Sequence, residues 1–308
     1  MTWNSHINKL TSKASQKLGL LYTMKNKLSR TALTKYYITF IRPVLEYGSV
    51  VFDNCTIHES HLIEQVQRRA AVLCTGAFKR TSYVNLLNEL GWESLDERRK
   101  KAKLTLMFKI TKNLTPPYLK ELIPPQIQDT TQHRLRNRTH IRIPRSRTSF
   151  KQKSFIPATL NLWNNLDPEI KRSRTLATFK SKQKFRLNPM TKLYSTNFGP
   201  STKLLTQIRL GLSKLNLHLF THSIIPDPFC PHCPASRESP MHYFLQCPAY
   251  AAQRDAMSRD LRGLLAPESF THTKLLYIII HGNQTDNLQT NISIFQTVHN
   301  YITSTKRF

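Results

Sequence analysis

Cys230-Pro231-His232-Cys233, then eight residues to His242, then four more to Cys247, is the stretch that decides how this chain is built at its C-terminal end. Two cysteines two residues apart can aim both sulfurs at one point from a tight turn. His242 and Cys247 can return to that point from the other side. Three thiolates and one imidazole form a closed tetrahedral set of the kind that holds a structural Zn²⁺, with no position left for a catalytic water. Three of the chain's five cysteines fall in this window. The competing reading is a redox pair, or two surface thiols near an unrelated histidine. A redox pair wants a βαβ context, which is absent, and it leaves the His-x4-Cys step unexplained. His232 and His222 are rival ligands, although His232 lies inside the Cys-x-x-Cys turn, where reaching the same ion would strain the loop. Cys247 precedes Pro248, a typical first residue of a helix, and a thiolate is electrostatically favoured at a helix N-terminus. Phe229, Tyr243 and Phe244 flank the ligands, either as filling for a small core or with one ring free to stack on a base.

Outward from this module, the composition is lopsided. The chain has 308 residues, enough for two domains with cores of their own, and its 39% hydrophobic content is low for one compact globule. A net charge of +28 exceeds what solubility needs and points to a polyanionic partner, nucleic acid first and an anionic membrane surface second. The run Leu275-Leu276-Tyr277-Ile278-Ile279-Ile280 is too short to span a bilayer. Met1-Thr2-Trp3-Asn4-Ser5-His6 lacks the apolar segment of a signal peptide. Cys55 and Cys74 do not make a disulfide framework, which fits a reducing compartment. The expectation is a nuclear or cytoplasmic protein, neither secreted nor held in a membrane.

The periodicity predicts a mainly α fold: a helical bundle over 1–125, a basic arm and linker with short helices over 126–200, and a small zinc-stabilised helical domain over 201–308. Ile7, Leu10, Ala14, Leu18 and Leu21 recur at helical spacing over 7–28. Ser29 is positioned to cap a helix over 30–41, and Pro43 should end or kink it. A third helix is expected over 61–73, stopped by Gly76, and a short one over 84–90. Ser94 with Glu97 makes a capping box for 95–113. Further helices are expected over 155–166, 179–185, from 201, from 248, over 273–281 and over 291–304. Residues 188–200 read as a linker.

Between Thr130 and Pro226 the only acids are Asp167 and Glu169. Arg134, Arg136, Arg138, Arg142, Arg145 and Arg147 alternate with other residues as in an extended arm, and Lys151, Lys153 and Trp163 follow. Arginine pairs with phosphate through its planar fork, and each neutralised phosphate releases counterions. The expected contacts are therefore RNA or DNA phosphates, with Phe150, Phe155 or Trp163 stacking on a base. A solvated, merely basic linker is the plainer alternative. Catalytic signals are thin. Two-metal phosphoryl transfer needs carboxylates close together, and the chain has no Asp-Asp, Asp-x-Asp or Tyr-x-Asp-Asp. Asp96-Glu97, its adjacent acids, sit at an expected helix start where capping explains them. There is no Gly-x-Gly-x-x-Gly, no Gly-x4-Gly-Lys and no Gly-x-Ser-x-Gly. The sequence reads as a binding protein and not an enzyme.

Several strings taken together resemble a known family. Trp3-Asn4-Ser5-His6-Ile7, Lys13-Ala14-Ser15-Gln16-Lys17-Leu18-Gly19-Leu20-Leu21 and Phe40-Ile41-Arg42-Pro43-Val44-Leu45-Glu46-Tyr47-Gly48-Ser49-Val50-Val51 are similar to the helical thumb that follows the catalytic palm of non-LTR (LINE-type) retrotransposon reverse transcriptases. Glu89-Leu90-Gly91-Trp92-Glu93-Ser94-Leu95 and Leu162-Trp163-Asn164-Asn165-Leu166 continue the likeness. Arg209-Leu210-Gly211-Leu212-Ser213-Lys214-Leu215-Asn216 and the cysteine–histidine set resemble that family's C-terminal Cys-Cys-His-Cys module. The resemblance implies a thumb plus zinc module without the family's fingers, palm, Tyr-x-Asp-Asp site or endonuclease. Its partners would be element RNA, template–primer or target DNA, and the missing polymerase portion. The alternative is a host-retained zinc-containing protein-interaction or scaffold module.

Overall fold

Capping chemistry sets most of the helix starts. In the computed structural model, which describes residues 3–130, 138–183, 190–194, 196, 200–234 and 236–308, the Ser29 hydroxyl accepts from the Ala32 N–H at 3.2 Å and opens helix Arg30–Tyr36. Ser94 accepts from the Glu97 N–H at 3.1 Å and opens Leu95–Thr111. Helix Ile57–Thr75 starts four residues before the apolar periodicity suggested. Thr56 and Glu59 explain it: Glu59 accepts from the Thr56 N–H at 2.7 Å, and Thr56 accepts from the Glu59 N–H at 3.2 Å. That reciprocal pair is a capping box of polar residues, invisible to a search for apolar spacing. Gly76, at φ +65°, terminates this helix as expected. Pro43 has no N–H to offer a ladder. The chain meets it with a π-helical turn over Tyr37–Ile41, after which Arg42–Glu46 resumes as α-helix.

The fold is mainly α. Among the described residues there is no strand, only isolated bridges between Gln126 and Ile141 and between Phe229 and Arg237. The chain divides into two compact units that alternate along the sequence. One comprises Met1–Lys17, Thr39–Gln67 and Glu93–Arg186, the other Leu18–Ile38, Arg68–Trp92 and Leu187–Phe308. This partition differs from contiguous blocks at 125 and 200. Composition registers charge along the chain, whereas compactness registers which apolar faces pair.

In the first unit, Leu95–Thr111 is flanked by Phe155–Asn164 and Leu176–Lys182. Leu104, Met107, Phe108, Leu160 and Phe179 form their common core, with the Phe108 and Phe179 rings stacked at 4.3 Å. Each such buried aromatic contributes roughly 1.5–3 kcal/mol by area. In the second unit, Ala251–Arg262 packs on Leu288–Thr305, which also meets Pro200–Arg209 and His272–His281. Met190, Leu193 and Tyr194 lie inside the stretch read as a linker, yet they are buried in this unit's core. Their apolar side chains outweigh the turn-forming residues around them, most of which fall outside the described residues.

The second unit also holds a buried charge cluster. Glu89 accepts from Arg30 at 2.8 Å and from Arg209 at 2.8 and 3.1 Å, and the three side chains are 4–7% exposed. The Thr206 hydroxyl accepts from both guanidinium groups at 3.0 Å, and Arg209 also lies over the Tyr194 ring at 3.9 Å. Burial pushes the Glu89 carboxyl up, but the two guanidinium groups outweigh it and hold the carboxyl below its usual range.

Candidate functional site

The four candidate metal ligands converge. One donor atom from each of Cys230, Cys233, His242 and Cys247 lies within 4.8 Å of every other. Cys233 Sγ is 3.6 Å from Cys247 Sγ, and Cys230 Sγ is 3.9 Å from Cys247 Sγ. Four ligands at Zn–S of about 2.3 Å in a tetrahedron have S···S edges of about 3.8 Å. The thiols are free, and their spacing matches sulfurs arranged around an ion. Cys233 Sγ to His242 Nε2 is 2.9 Å, shorter than the tetrahedral edge of about 3.5 Å. Binding would part these two atoms by about half an ångström.

Local backbone chemistry explains the spacing. The Cys-x-x-Cys turn is closed by Cys230 N–H donating to the Ser236 carbonyl at 2.9 Å and by Ser236 N–H donating to the Cys233 carbonyl at 3.2 Å. His242–Gln246 forms a π-helical turn, and the Cys247 N–H donates to the His242 carbonyl at 2.8 Å. That i→i+5 bond is what brings Cys247 back beneath His242, so four intervening residues are the number the geometry needs. Cys247 then caps Pro248–Tyr250, which leads into Ala251–Arg262. His232 is exposed and packs edge-on against Tyr250 at 5.4 Å, outside the set, and His222 is also outside it.

The donors suit a cation. Burial and the neighbouring thiols push the Cys233 thiol up to about 12, and burial pushes Cys247 up as well. Burial pushes the His242 imidazole down, keeping it in the neutral form a metal ligand needs. A metal would displace the thiol protons and compensate the clustered thiolates.

The surroundings were not legible in the spacing. Arg254 donates to the Cys247 carbonyl at 2.8 Å. Fully buried Glu238 accepts from the Asn216 N–H at 2.7 Å and from Arg307 at 2.7 and 2.9 Å. Tyr243 and Phe244 are fully buried, and the Tyr243 hydroxyl is 2.8 Å from Thr305 Oγ1. Phe229 is the flanking ring left exposed. Cys230, Tyr243, Phe244 and Cys247 thus belong to the main core of the second unit, not to a detached finger.

The basic arm is irregular between a turn at Arg138 and the short helix Ser149–Gln152, and it carries its cations outward. Arg138, Arg142, Arg145, Arg147, Lys151 and Lys153 are all exposed. No ion pair among the described residues involves any of them. Arg134 and Arg136 lie outside the described residues. The arm's backbone is fixed. Ile141 is buried, its N–H donates to Asn164 Oδ1 at 3.0 Å, and its carbonyl accepts from Asn164 Nδ2 at 2.9 Å. The Ile127 N–H donates to the His140 carbonyl at 2.9 Å and the Arg142 N–H to the Pro125 carbonyl at 3.2 Å. Trp163 requires a correction. It is 8% exposed and packs 6.1 Å from the Phe179 ring, so it is core and not a platform for a base. Its place on the apolar face of Phe155–Asn164, beside Leu160, dictates this burial.

No family model, no curated protein and no solved structure matches the chain. No helix among the described residues is long and apolar enough to cross a membrane.

Proposed function

We propose that this chain is a zinc-stabilised nucleic-acid-binding protein, corresponding to the thumb and C-terminal module of a LINE-type reverse transcriptase and acting by grip rather than by chemistry. The observation that carries the reading is the arm. Six described cations stand exposed, with no acidic partner among the described residues, on a backbone pinned through Ile141 and Asn164. Charge that serves only solubility is usually interspersed with acids, and between Thr130 and Pro226 only Asp167 and Glu169 interrupt it. The strings around Trp3, Phe40, Trp92 and Arg209 support the family assignment. Cys230, Cys233, His242 and Cys247 would hold Zn²⁺, whose role there is to tie the Cys-x-x-Cys turn to the helical core. Element RNA, template–primer or target DNA are the partners this reading implies, in a nuclear or cytoplasmic ribonucleoprotein.

The test is a salt titration of single-stranded RNA binding by fluorescence anisotropy. If all six arm cations engage phosphates of a single strand, affinity falls about 300-fold between about 50 and 200 mM salt. A flat response overturns the reading and favours a protein-interaction module in which zinc serves folding alone.

A further inference from the structure

The first unit contains a cleft of about 750 Å³ between the arm and the helices it is strapped to. Arg145 and Lys153 stand on its wall with no acidic partner among the described residues. Lys103 and Asp53 also line it. They pair with each other, and Asp53 also accepts from Arg99 at 2.7 Å. The one carboxylate lining the cleft is therefore held by two cations and offers little repulsion to an anion. Lys100 adds a further cation, tied to Asp96 and Glu97 at 2.9 and 2.7 Å. Pro144, Pro157, Ala158 and Leu162 supply apolar wall, and Gln152 and Asn161 supply amides.

We infer that this cleft is where a single strand of nucleic acid is held, with phosphates against Arg145 and Lys153 and a base or sugar on the apolar wall. The inference rests on the proposed nucleic-acid role and gives it a place. Three features select the occupant. The charge pattern is cationic with its acid neutralised, which suits a phosphodiester. The apolar wall gives the cleft a purpose that a flat phosphate-binding patch lacks. Its volume is on the scale of a small-molecule site, about 300–1,000 Å³, which admits a few atoms' width of single strand and not a duplex. Of the stacking candidates, Trp163 is packed in the core, and among the described residues no aromatic ring lines the cleft. Binding there is therefore tolerant of sequence, since neither stacking strength nor an aromatic sandwich discriminates bases.

The test uses the full chain, fluorescein-labelled dT20 and rU20, and three variants. The first is Arg145→Ala with Lys153→Ala. The second, a control, is Arg259→Ala with Arg262→Ala, exposed cations of Ala251–Arg262 in the other unit. The third is Ala158→Phe, which fills the cleft and leaves the charge unchanged. Circular dichroism melts verify that each is folded. Loss of two phosphate contacts lowers affinity about 25-fold at about 0.1 M salt and flattens the log–log salt slope by about 1.4. The control pair should change affinity less than threefold, since neither residue lines the cleft. Ala158→Phe should weaken binding with the slope kept. If the control pair loses as much as the cleft pair, or if a duplex competes as well as the single strand, the cleft assignment is overturned while the nucleic-acid role stands. If the wild-type chain binds neither oligonucleotide, both fall.

Discussion

Replacing Cys233 with Ser removes one sulfur from a set whose remaining members have no other way to meet a cation. Cys233 is the ligand that touches both sides of the site, 3.6 Å from Cys247 Sγ and 2.9 Å from His242 Nε2. A serine hydroxyl stays neutral at pH 7 and offers no thiolate. Structural zinc contributes about 10–16 kcal/mol to the folding of small modules, whereas a whole domain is stable by about 5–15 kcal/mol. The consequence reaches beyond the turn. Cys230 and Cys247 are part of the core that includes Tyr243, Phe244 and Tyr301, and the Phe244 and Tyr301 rings lie 5.7 Å apart. The variant is expected to purify with well under one zinc by mass spectrometry, and to lose amide protection along Leu288–Thr305. Cys74→Ser, a buried thiol outside the set, should keep its zinc. Cobalt substitution of the wild type should give the intense visible bands of a tetrahedral thiolate site. A Cys233→Ser protein that retains one zinc and melts with the wild type would refute the assignment, as would a wild type whose melting a chelator leaves unchanged.

Two further outcomes follow from the second unit. Glu89→Gln leaves Arg30 and Arg209 buried without a carboxylate, and breaking such a pair costs about 3–5 kcal/mol, measurable by denaturant titration. Because burial raises the Glu89 carboxyl less than its two arginines lower it, its stabilising contribution is present above the unfolded carboxylate value of about 4.3 and is lost as pH falls through the lower folded value. Wild-type stability should therefore decline on acidification in that window, and Glu89→Gln should decline less. Gly282 sits at φ +80° and ψ 171°, a region essentially reserved for glycine. A Cβ there would stand 2.5 Å from Met190 Cε and 2.7 Å from Asn291 Oδ1. Asn291 is itself buried and committed to Asn283, accepting from its N–H at 2.7 Å and donating to its carbonyl at 2.8 Å. Gly282→Ala should cost about 2–4 kcal/mol in thermal or urea unfolding, and a wild-type melting temperature would contradict the packing described.

What the sequence by itself determined is whatever depends on near neighbours. The ligand set could be read because thiolate and imidazole chemistry constrains Cys230, Cys233, His242 and Cys247 within one short window. Ser29 and Ser94 could be read as caps because a capping bond spans three residues, and Thr56 with Glu59 was legible on the same terms although apolar spacing concealed it. What only the tertiary structure decided lies between residues far apart in the chain. Arg30 and Glu89 are 59 positions apart, and Glu89 and Arg209 are 120 apart. Trp163 became core because Phe179 and Phe108 closed over it, while six neighbouring cations stayed outside on an arm anchored by Ile141. The cysteine–histidine cluster became part of a large core because Tyr243 and Phe244 needed the face of Leu288–Thr305 to leave water. Apolar burial has no direction along the chain and is satisfied by shape, so its partners are not fixed by spacing.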